Sequence, residues 1–230
     1  MRRQLPKDPL PCVAVGFGLL ELRRALRRLG RRPGHEVDVA ALAPPDSGLC
    51  ARAEDLARAW HREALLGHGF RTWAFATAVA EAVGLAPDPE VLFVACLLHD
   101  VGLEPEAPGD APFELVGARR AHELCLPDEA RAELVHDAIA MHTSLRALFG
   151  PAEQRLVQSG SGCDLVGLDA ELLAPTTRRA VRARWPGSPA HFREVGDRLK
   201  ARTSLYPGSP GATLVQLGFI GRIEAGAKGA

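Results

Sequence analysis

The chain has 230 residues, of which 47% are hydrophobic, and its 28 basic and 28 acidic side chains give a net charge of zero. This length and composition are typical of one globular domain with a sizeable core, and they argue against an intrinsically disordered protein. The balanced charge argues against nucleic acid as a partner. No stretch approaches the roughly 18 apolar residues that a membrane span needs, so no membrane partner is expected.

Five cysteines are scattered along the chain, and none of them forms a CxxC pair. An odd number without such pairs is typical of reduced thiols rather than of a disulfide framework or a structural zinc knuckle. The N-terminal segment imitates a signal peptide only weakly, because prolines and glycines interrupt its apolar run and no clear cleavage site follows. We therefore expect a cytoplasmic protein.

Three regions are predicted along the chain. Residues 1–47 read as a leader that is partly irregular and contains one basic helix, in the run RRALRRLGRRPGH. Such a run could contact phosphates, but it is more often a solvated helix face. Residues 48–175 carry dense helical patterns and form the predicted core domain. Residues 176–230 read as a helical extension that packs on this core.

The core domain reads as a series of helices, because its apolar residues recur at helical spacing. Asp46 or Ser47 can cap the first helix. Asp88 can cap the third, Pro89 fits its first turn, and Gly102 supplies its stop. The predicted helices cover 53–66, 69–83, 88–100, 113–125, 128–145 and 159–173, the last of them beginning as a Gly/Ser turn.

The C-terminal part of the chain carries weaker helical signals, which several prolines interrupt. A helix pair is predicted on either side of Trp185-Pro186-Gly187. Residues 214–223 fit either a last helix or an exposed apolar contact with a second subunit, which leaves a homo-oligomer open. No long stretch alternates with a period of two, so the predicted class is all-α, a helical bundle.

The segment ACLLHDVGL, residues 95–103, carries His99 and Asp100 out of an apolar helix. A buried charge needs a partner, so the pair is either a core histidine beside a surface aspartate or two ligands of one metal ion. Neighbouring residues of a regular helix point about 100° apart. Both side chains can therefore reach one ion only beyond the helix end, and Gly102 provides the turn there. His68 and Asp164 are further candidates, although each alone reads as a core or cap residue.

Four motifs in a fixed order strengthen the interpretation of these residues as metal ligands: HGFRT, LLHDVGL, FELVGA and GCDLVG. Their arrangement resembles the HD superfamily of metal-dependent hydrolases, nearest to its branch that includes cyanamide hydratase, over about residues 46–170. The resemblance implies an HD-domain helical bundle in which His68, His99, Asp100 and Asp164 bind a divalent metal ion. Imidazole and carboxylate ligands suit zinc, iron or manganese.

Several positions of this chain depart from the family pattern or leave an assignment open. Gly69 stands where the branch often has serine, and Asp169 is an alternative to Asp164 as the late ligand. Many HD proteins have a second-metal histidine where this chain has Phe113, which favours one tightly held metal, with a second, weaker ion left open. His136-Asp137 is a second HD doublet, which we expect to lie outside the site, with His136 exposed to solvent.

Three further residues are candidates for roles around the metal. His142 faces inward and could either line the cavity or be a hydrogen-bonded core histidine. Together with Glu114, it is a candidate for proton transfer. Arg71, one turn after His68, could hold an anionic substrate group or form a structural ion pair with a carboxylate.

Three functions are compatible with these features. The first is an HD-type hydrolase in which water activated by the metal attacks a small, phosphorylated substrate. The second is a hydratase of the cyanamide hydratase type that adds water to a small nitrile-like substrate. The third is a metal-binding regulatory module without catalysis. Resemblance alone does not identify the substrate.

Overall fold

A computed structural model describes residues 34–227, together with residues 4, 5, 7–9, 18, 22 and 25. This part of the chain is built of α-helices and contains no strand, so the predicted all-α bundle is confirmed. Most of the predicted leader, including its basic helix, lies outside the described residues. Within the described ranges, no helix is long and apolar enough to cross a membrane.

Ten α-helices follow one another along the described residues, with short 3-10 turns between some of them. Their bounds are Gly48–Trp60 (α1), Glu63–Val83 (α2), Pro89–Leu98 (α3), Phe113–Cys125 (α4), Glu129–Met141 (α5), Ala152–Val166 (α6), Pro175–Arg184 (α7), Pro189–Ser204 (α8), Pro210–Gln216 (α9) and Phe219–Ala227 (α10).

The first two helices are divided differently from the prediction, because the first helix ends at Trp60 rather than at residue 66. His61 adopts an extended conformation between the two helices. Its buried ring is held by the carbonyl oxygen of Leu97 at 3.0 Å and by Glu104 at 3.4 Å. These contacts with distant residues compensate for the lost helical hydrogen bonds. As a consequence, His68 lies inside α2 and not at the start of a helix.

The start of α3 matches the prediction, because Asp88 accepts hydrogen bonds from the backbone N–H groups of Glu90 and Val91, with Pro89 in the first turn. Likewise, Ser47 caps α1 by accepting from the N–H of Cys50. The end of α3 comes earlier than predicted, at Leu98.

Two helices in the centre of the bundle, α2 and α6, form its most extensive helix pair. The stretch SGSG at 159–162, which was predicted to be a turn, lies within α6. A Cβ atom at Gly160 would lie 2.3 Å from the carbonyl oxygen of Thr72. The small residues therefore let the two backbones approach closely, and the predicted Gly/Ser turn was wrong for this reason.

The C-terminal helices pack on the same bundle. As predicted, a pair of helices lies on either side of Trp185-Pro186-Gly187, namely α7 and α8. Residues 214–223 belong to two helices, α9 and α10. Leu65 of α2, Leu165 of α6, Phe192 of α8 and Ile223 of α10 belong to one apolar cluster. The predicted domain boundaries at 47 and 175 stay predictions.

Candidate metal centre

His99 and Asp100 lie where α3 gives way to a 3-10 turn at Val101–Leu103. Both side chains are buried. The Nδ1 atom of His99 lies 2.8 Å from the carbonyl oxygen of Cys96, so Nε2 is the nitrogen that faces the site. Nε2 lies 3.3 Å from Oδ2 of Asp100. The change in backbone direction after Leu98 therefore lets two adjacent side chains converge, as expected for a pair at a helix end.

Glycines bring neighbouring helices against this corner. A Cβ atom at Gly117 of α4 would lie 2.9 Å from the carbonyl oxygens of Leu98 and His99. A Cβ atom at Gly102 would lie 2.2 Å from the carbonyl oxygen of Phe113. Gly102 was predicted as the stop signal of α3. Since α3 ends four residues earlier, the observed reason for glycine there is its close approach to α4.

His68 of α2 completes a group of three potential metal ligands with His99 and Asp100. Its Nε2 atom lies 3.6 Å from Oδ2 of Asp100, and its ring centroid is 5.1 Å from that of His99. One ligand atom from each of the three residues lies within 4.8 Å of the other two. Bonds of about 2.0–2.2 Å in tetrahedral geometry place zinc ligands roughly 3.3–3.5 Å apart, so these separations suit a shared ion.

The chemistry of this group also fits a metal ion. Nε2 of His99 is buried and has no hydrogen-bond partner. A buried polar atom without a partner costs free energy, and a metal ion would remove that cost by accepting the nitrogen lone pair. Although burial disfavours the charge on Asp100, His99 and His68 outweigh it and keep the pKa of this carboxyl well below its usual range. Asp100 is therefore available as an anionic ligand.

Asp164, predicted as the fourth ligand, lies on the other side of His68. Its Oδ2 atom is 2.8 Å from Nδ1 of His68, and its Oδ1 atom accepts a hydrogen bond of 2.8 Å from Nε of Arg71. Burial opposes its charge, but Arg71 and His68 keep its pKa well below the usual range. A carboxylate on Nδ1 fixes the tautomer that leaves Nε2 free for a metal. These contacts describe an orienting partner, and direct ligation by Asp164 stays a prediction.

Arg71, predicted to bind substrate, is buried in this same arrangement. Besides Asp164, its guanidinium donates to the carbonyl oxygens of Trp185 and Pro186. It does not line the cavity beside the metal group. Of the two roles considered for Arg71, its contacts correspond to the structural ion pair. The substrate-binding role has no support from these contacts, because the guanidinium is directed at protein acceptors.

His142 follows α5 and faces the metal group. Its Nδ1 atom lies 2.6 Å from the carbonyl oxygen of Ile139, and its Nε2 atom lies 3.7 Å from Oδ1 of Asp100. Burial, together with the neighbouring His99, lowers the pKa of His142 to about 4. The imidazole is therefore neutral near pH 7, as a metal ligand or a proton acceptor must be. Phe113 packs edge-on against this ring, with centroids 5.7 Å apart.

Glu114, the other candidate for proton transfer, is completely buried. Its Oε1 atom accepts hydrogen bonds from the Thr143 hydroxyl at 2.8 Å and from the N–H of Gly211 at 3.0 Å, whereas Oε2 has no partner. Burial raises its pKa to about 7. Glu114 does not line the cavity, and Thr143 stands between them. Its catalytic role stays a prediction.

A cavity of about 100 Å³ adjoins the metal group. Its polar lining near that group includes Thr143, Gln158 and Ser161, which the sequence did not indicate. The Ser161 hydroxyl lies 3.3 Å from Nε2 of His68. Asp169, the alternative late ligand, also lines the cavity and accepts a hydrogen bond from Ser159. The apolar lining residues are Leu103, Phe113, Leu145, Leu165, Val166, Leu168, Val195, Leu199, Leu214 and Phe219.

The second doublet, His136-Asp137, lies in the middle of α5 and outside the metal group. The prediction that His136 is exposed was wrong, because its side chain is completely buried. Its ring packs perpendicular to that of His122, with centroids 6.1 Å apart. His122 also lies near the exposed carboxylates of Glu129 and Glu133. The helical period correctly placed His136 and His142 on different faces of the predicted helix. It did not reveal that α4 covers His136.

Comparison with known families supports the reading of this centre. Residues 65–161, which make up less than half of the chain, match the family model described as HD domain. The match contains His68, His99, Asp100 and His142, and it ends three residues before Asp164. It supports a place in the HD superfamily of metal-dependent hydrolases, and the three-residue group could hold the metal. No curated protein matches the chain.

Proposed function

We propose that the protein is a metal-dependent hydrolase of the HD type, with one divalent ion, zinc, iron or manganese, held by His68, His99 and Asp100. The observation that carries this proposal is the buried Nε2 of His99, which lacks a hydrogen-bond partner and faces an anionic carboxylate and a second imidazole. When bound, such an ion acts as a Lewis acid and lowers the pKa of coordinated water toward about 7.

The protein itself contributes orientation and exclusion of water. Asp164 holds the Nδ1 proton of His68 and thereby directs Nε2 at the site. Arg71 keeps Asp164 anionic in turn. His142 is neutral near pH 7 and offers a nitrogen beside Asp100 that can accept a proton from water or return it to a leaving group. His68 and Asp100 are at most 5% exposed, which limits the access of bulk solvent to the metal group.

One metal, rather than two, is part of this proposal. Many HD proteins have a histidine where this chain has Phe113, and the Phe113 ring occupies the space beside His142. An apolar ring offers no lone pair to a second ion. His142 remains the one additional imidazole near Asp100 among the described residues, which leaves room for a weaker second ion but not for a second full set of ligands.

A hydratase is the second candidate, and the cavity lining favours it over a phosphohydrolase. In a hydration of this kind, the oxygen of water bonds to the nitrile carbon and both hydrogens end on nitrogen, with no leaving group. Arg222 is the only cationic side chain among the described residues that line the cavity. Phosphate groups are usually held by several cationic or N–H donors. The small phosphorylated substrate predicted from the sequence therefore has the weaker support.

The proposal is tested on purified protein that is first stripped of metal and then titrated with zinc, manganese or iron. We expect one tightly bound ion and a rise in melting temperature, since a ligand that binds only the folded state stabilises it. Turnover is then measured with cyanamide, small amides, methyl phosphate and AMP. A metal-dependent rise in melting temperature without turnover of any compound would favour the metal-binding regulatory module instead, and metal-independent melting would contradict the metal site itself.

A further inference from the structure

The lining of the cavity beside the metal group contains two chemically different sets of residues. Asp100, His142 and Thr143 are polar, and Asp100 belongs to the metal group. Four apolar residues come from the C-terminal helices: Val195 and Leu199 of α8, Leu214 of α9 and Phe219 of α10. We call these four residues the C-terminal wall. They all lie beyond residue 161, where the match to the HD domain ends.

The volume of the cavity limits what it can enclose. A cavity of about 150 Å³ is filled by benzene, and liquid water occupies about 30 Å³ per molecule. The volume of about 100 Å³ therefore admits roughly four non-hydrogen atoms. Sites for drug-sized ligands enclose about 300–1,000 Å³. A nucleotide is far too large to be enclosed here.

The charges around the cavity further restrict the substrate. Its lining contains three carboxylates, Asp100, Asp169 and Glu171, against the single cationic side chain of Arg222 in the described part of the chain. Arg71 and Arg182 lie nearby but are directed at Asp164, at 2.8 and 3.6 Å. A bound divalent ion would bring these charges into balance, so an anionic substrate group would find no excess of cationic donors to offset the cost of its desolvation.

We propose, on the basis of the hydrolase function above, that the substrate is an uncharged molecule of a few non-hydrogen atoms with a short apolar end. The apolar end packs on the C-terminal wall, and the reacting carbon faces Asp100 and His142. In this arrangement the wall selects the length of the substrate, because a longer chain would collide with Leu214 or Phe219. The helices outside the HD match therefore determine specificity, while the histidines within it hold the metal.

The experiment compares acetamide, butyramide, acetonitrile and butyronitrile, with methyl phosphate and AMP as charged compounds, on metal-loaded protein. Phe219→Ala shortens one side chain of the C-terminal wall and so enlarges the cavity. One methylene of a substrate in an apolar pocket changes kcat/KM by about 10- to 200-fold. We expect this variant to raise the ratio of kcat/KM for the longer over the shorter homologue at least about tenfold. Ile220→Ala, which changes the adjacent residue of α10 outside the lining, should leave the ratio unchanged.

A second variant and a binding measurement separate this inference from the proposed function. Leu214→Trp fills the cavity, and Val215→Trp is its matched control on α9. Binding of fluoroacetonitrile, which has four non-hydrogen atoms, followed by 19F NMR, should be lost in Leu214→Trp only, with unchanged metal content. Binding without turnover would overturn the hydrolase but support the substrate class. Turnover of the phosphate compounds alone, or a length ratio unaffected by Phe219→Ala, would overturn the substrate class while the hydrolase stands.

Discussion

The molecule contains the same dipeptide twice, His99-Asp100 and His136-Asp137, in two different surroundings. The first pair lies at the end of α3, where Asp100 is 8% exposed and within 3.7 Å of three imidazoles. The second lies within α5, where the Asp137 side chain is 29% exposed. Among the described residues, neither member of the second pair belongs to a group that could share an ion.

The difference shows that a helix end and convergent partners, rather than the dipeptide, create the centre. After Leu98 the backbone leaves the helix, so Asp100 can turn toward His99 Nε2 while His68 arrives from another helix. In α5 the helix continues to Met141, so Asp137 is directed toward the surface while His136 is buried against α4. Mutations in the two doublets should therefore have different effects.

The largest expected effect is that of Asp100→Ala. Replacing residues that merely orient metal ligands usually costs 10- to 100-fold in metal affinity, so removal of the carboxylate ligand should cost more than about a hundredfold. Metal content and turnover should both be lost. Circular dichroism should show the helices largely retained, because Asp100 caps no helix by a side-chain hydrogen bond.

The matched control is Asp137→Ala, which removes the same carboxylate from the second doublet. We expect metal content and kcat/KM within about twofold of the unchanged protein, since the side chain of Asp137 is partly exposed and lies outside the metal group. If Asp137→Ala lost the metal and Asp100→Ala retained it, the assignment of the centre to the first doublet would be wrong.

Asp164→Asn should have the next largest effect, because it acts on His68 without touching its Nε2 atom. The neutral amide can still contact Nδ1 but no longer pairs with the Arg71 guanidinium. We expect metal affinity, measured by competition with a chelator, to fall about 10- to 100-fold. A complete loss of binding, as in Asp100→Ala, would instead support Asp164 as a direct ligand.

How far the sequence predicts this centre can be judged residue by residue. His99 and Asp100 were identifiable because charged groups after an apolar helix need a partner. His68 and His142 were found through ordered motifs and helical phase. Both kinds of signal depend on local sequence, and these four residues are the ones that the structure brings together.

The remaining features depend on contacts between distant residues, which a single sequence does not encode locally. SGSG within α6 has the composition of a turn, but the close approach of the Thr72 carbonyl oxygen to Gly160 shows that a small residue is needed there for helix packing. His136 was predicted to be exposed because the period of α5 does not reveal the burial provided by α4. The C-terminal wall could not be predicted either, since nothing local shows that α8, α9 and α10 return to the metal centre.

Glu114→Gln tests how a buried carboxyl group near the first doublet makes stability depend on pH. In the folded protein its pKa is raised from 4.5 to about 7 by burial. Between these values the folded state keeps a proton that the unfolded state has lost, so this group makes stability fall as pH rises from about 4.5 to 7. The amide keeps an acceptor for Thr143 and Gly211 but does not ionise.

Urea unfolding at pH 5 and pH 8 measures this effect. Relative to the unchanged protein, Glu114→Gln should gain about 2.5 kcal/mol in free energy of unfolding on going from pH 5 to pH 8, since one pKa unit corresponds to about 1.4 kcal/mol and the unfolded carboxyl is still partly protonated at pH 5. Comparing the two proteins at each pH cancels the contributions of all other groups. Parallel pH profiles would mean that Glu114 is already ionised in the folded protein at pH 5.

The smallest effect on activity is expected for His136→Ala. The buried ring packs against His122, so its removal leaves a cavity and should cost about 1–3 kcal/mol of stability. Part of that cost is offset because His136 Nε2, a buried atom without a hydrogen-bond partner, disappears as well.

The folded variant should keep its metal and its kcat/KM, unlike His99→Ala, which removes an imidazole of similar burial from the first doublet. Metal content and melting temperature, measured on both variants, distinguish a structural histidine from a ligand. Loss of metal in His136→Ala, with the helices intact, would show that the wrong doublet has been assigned to the centre.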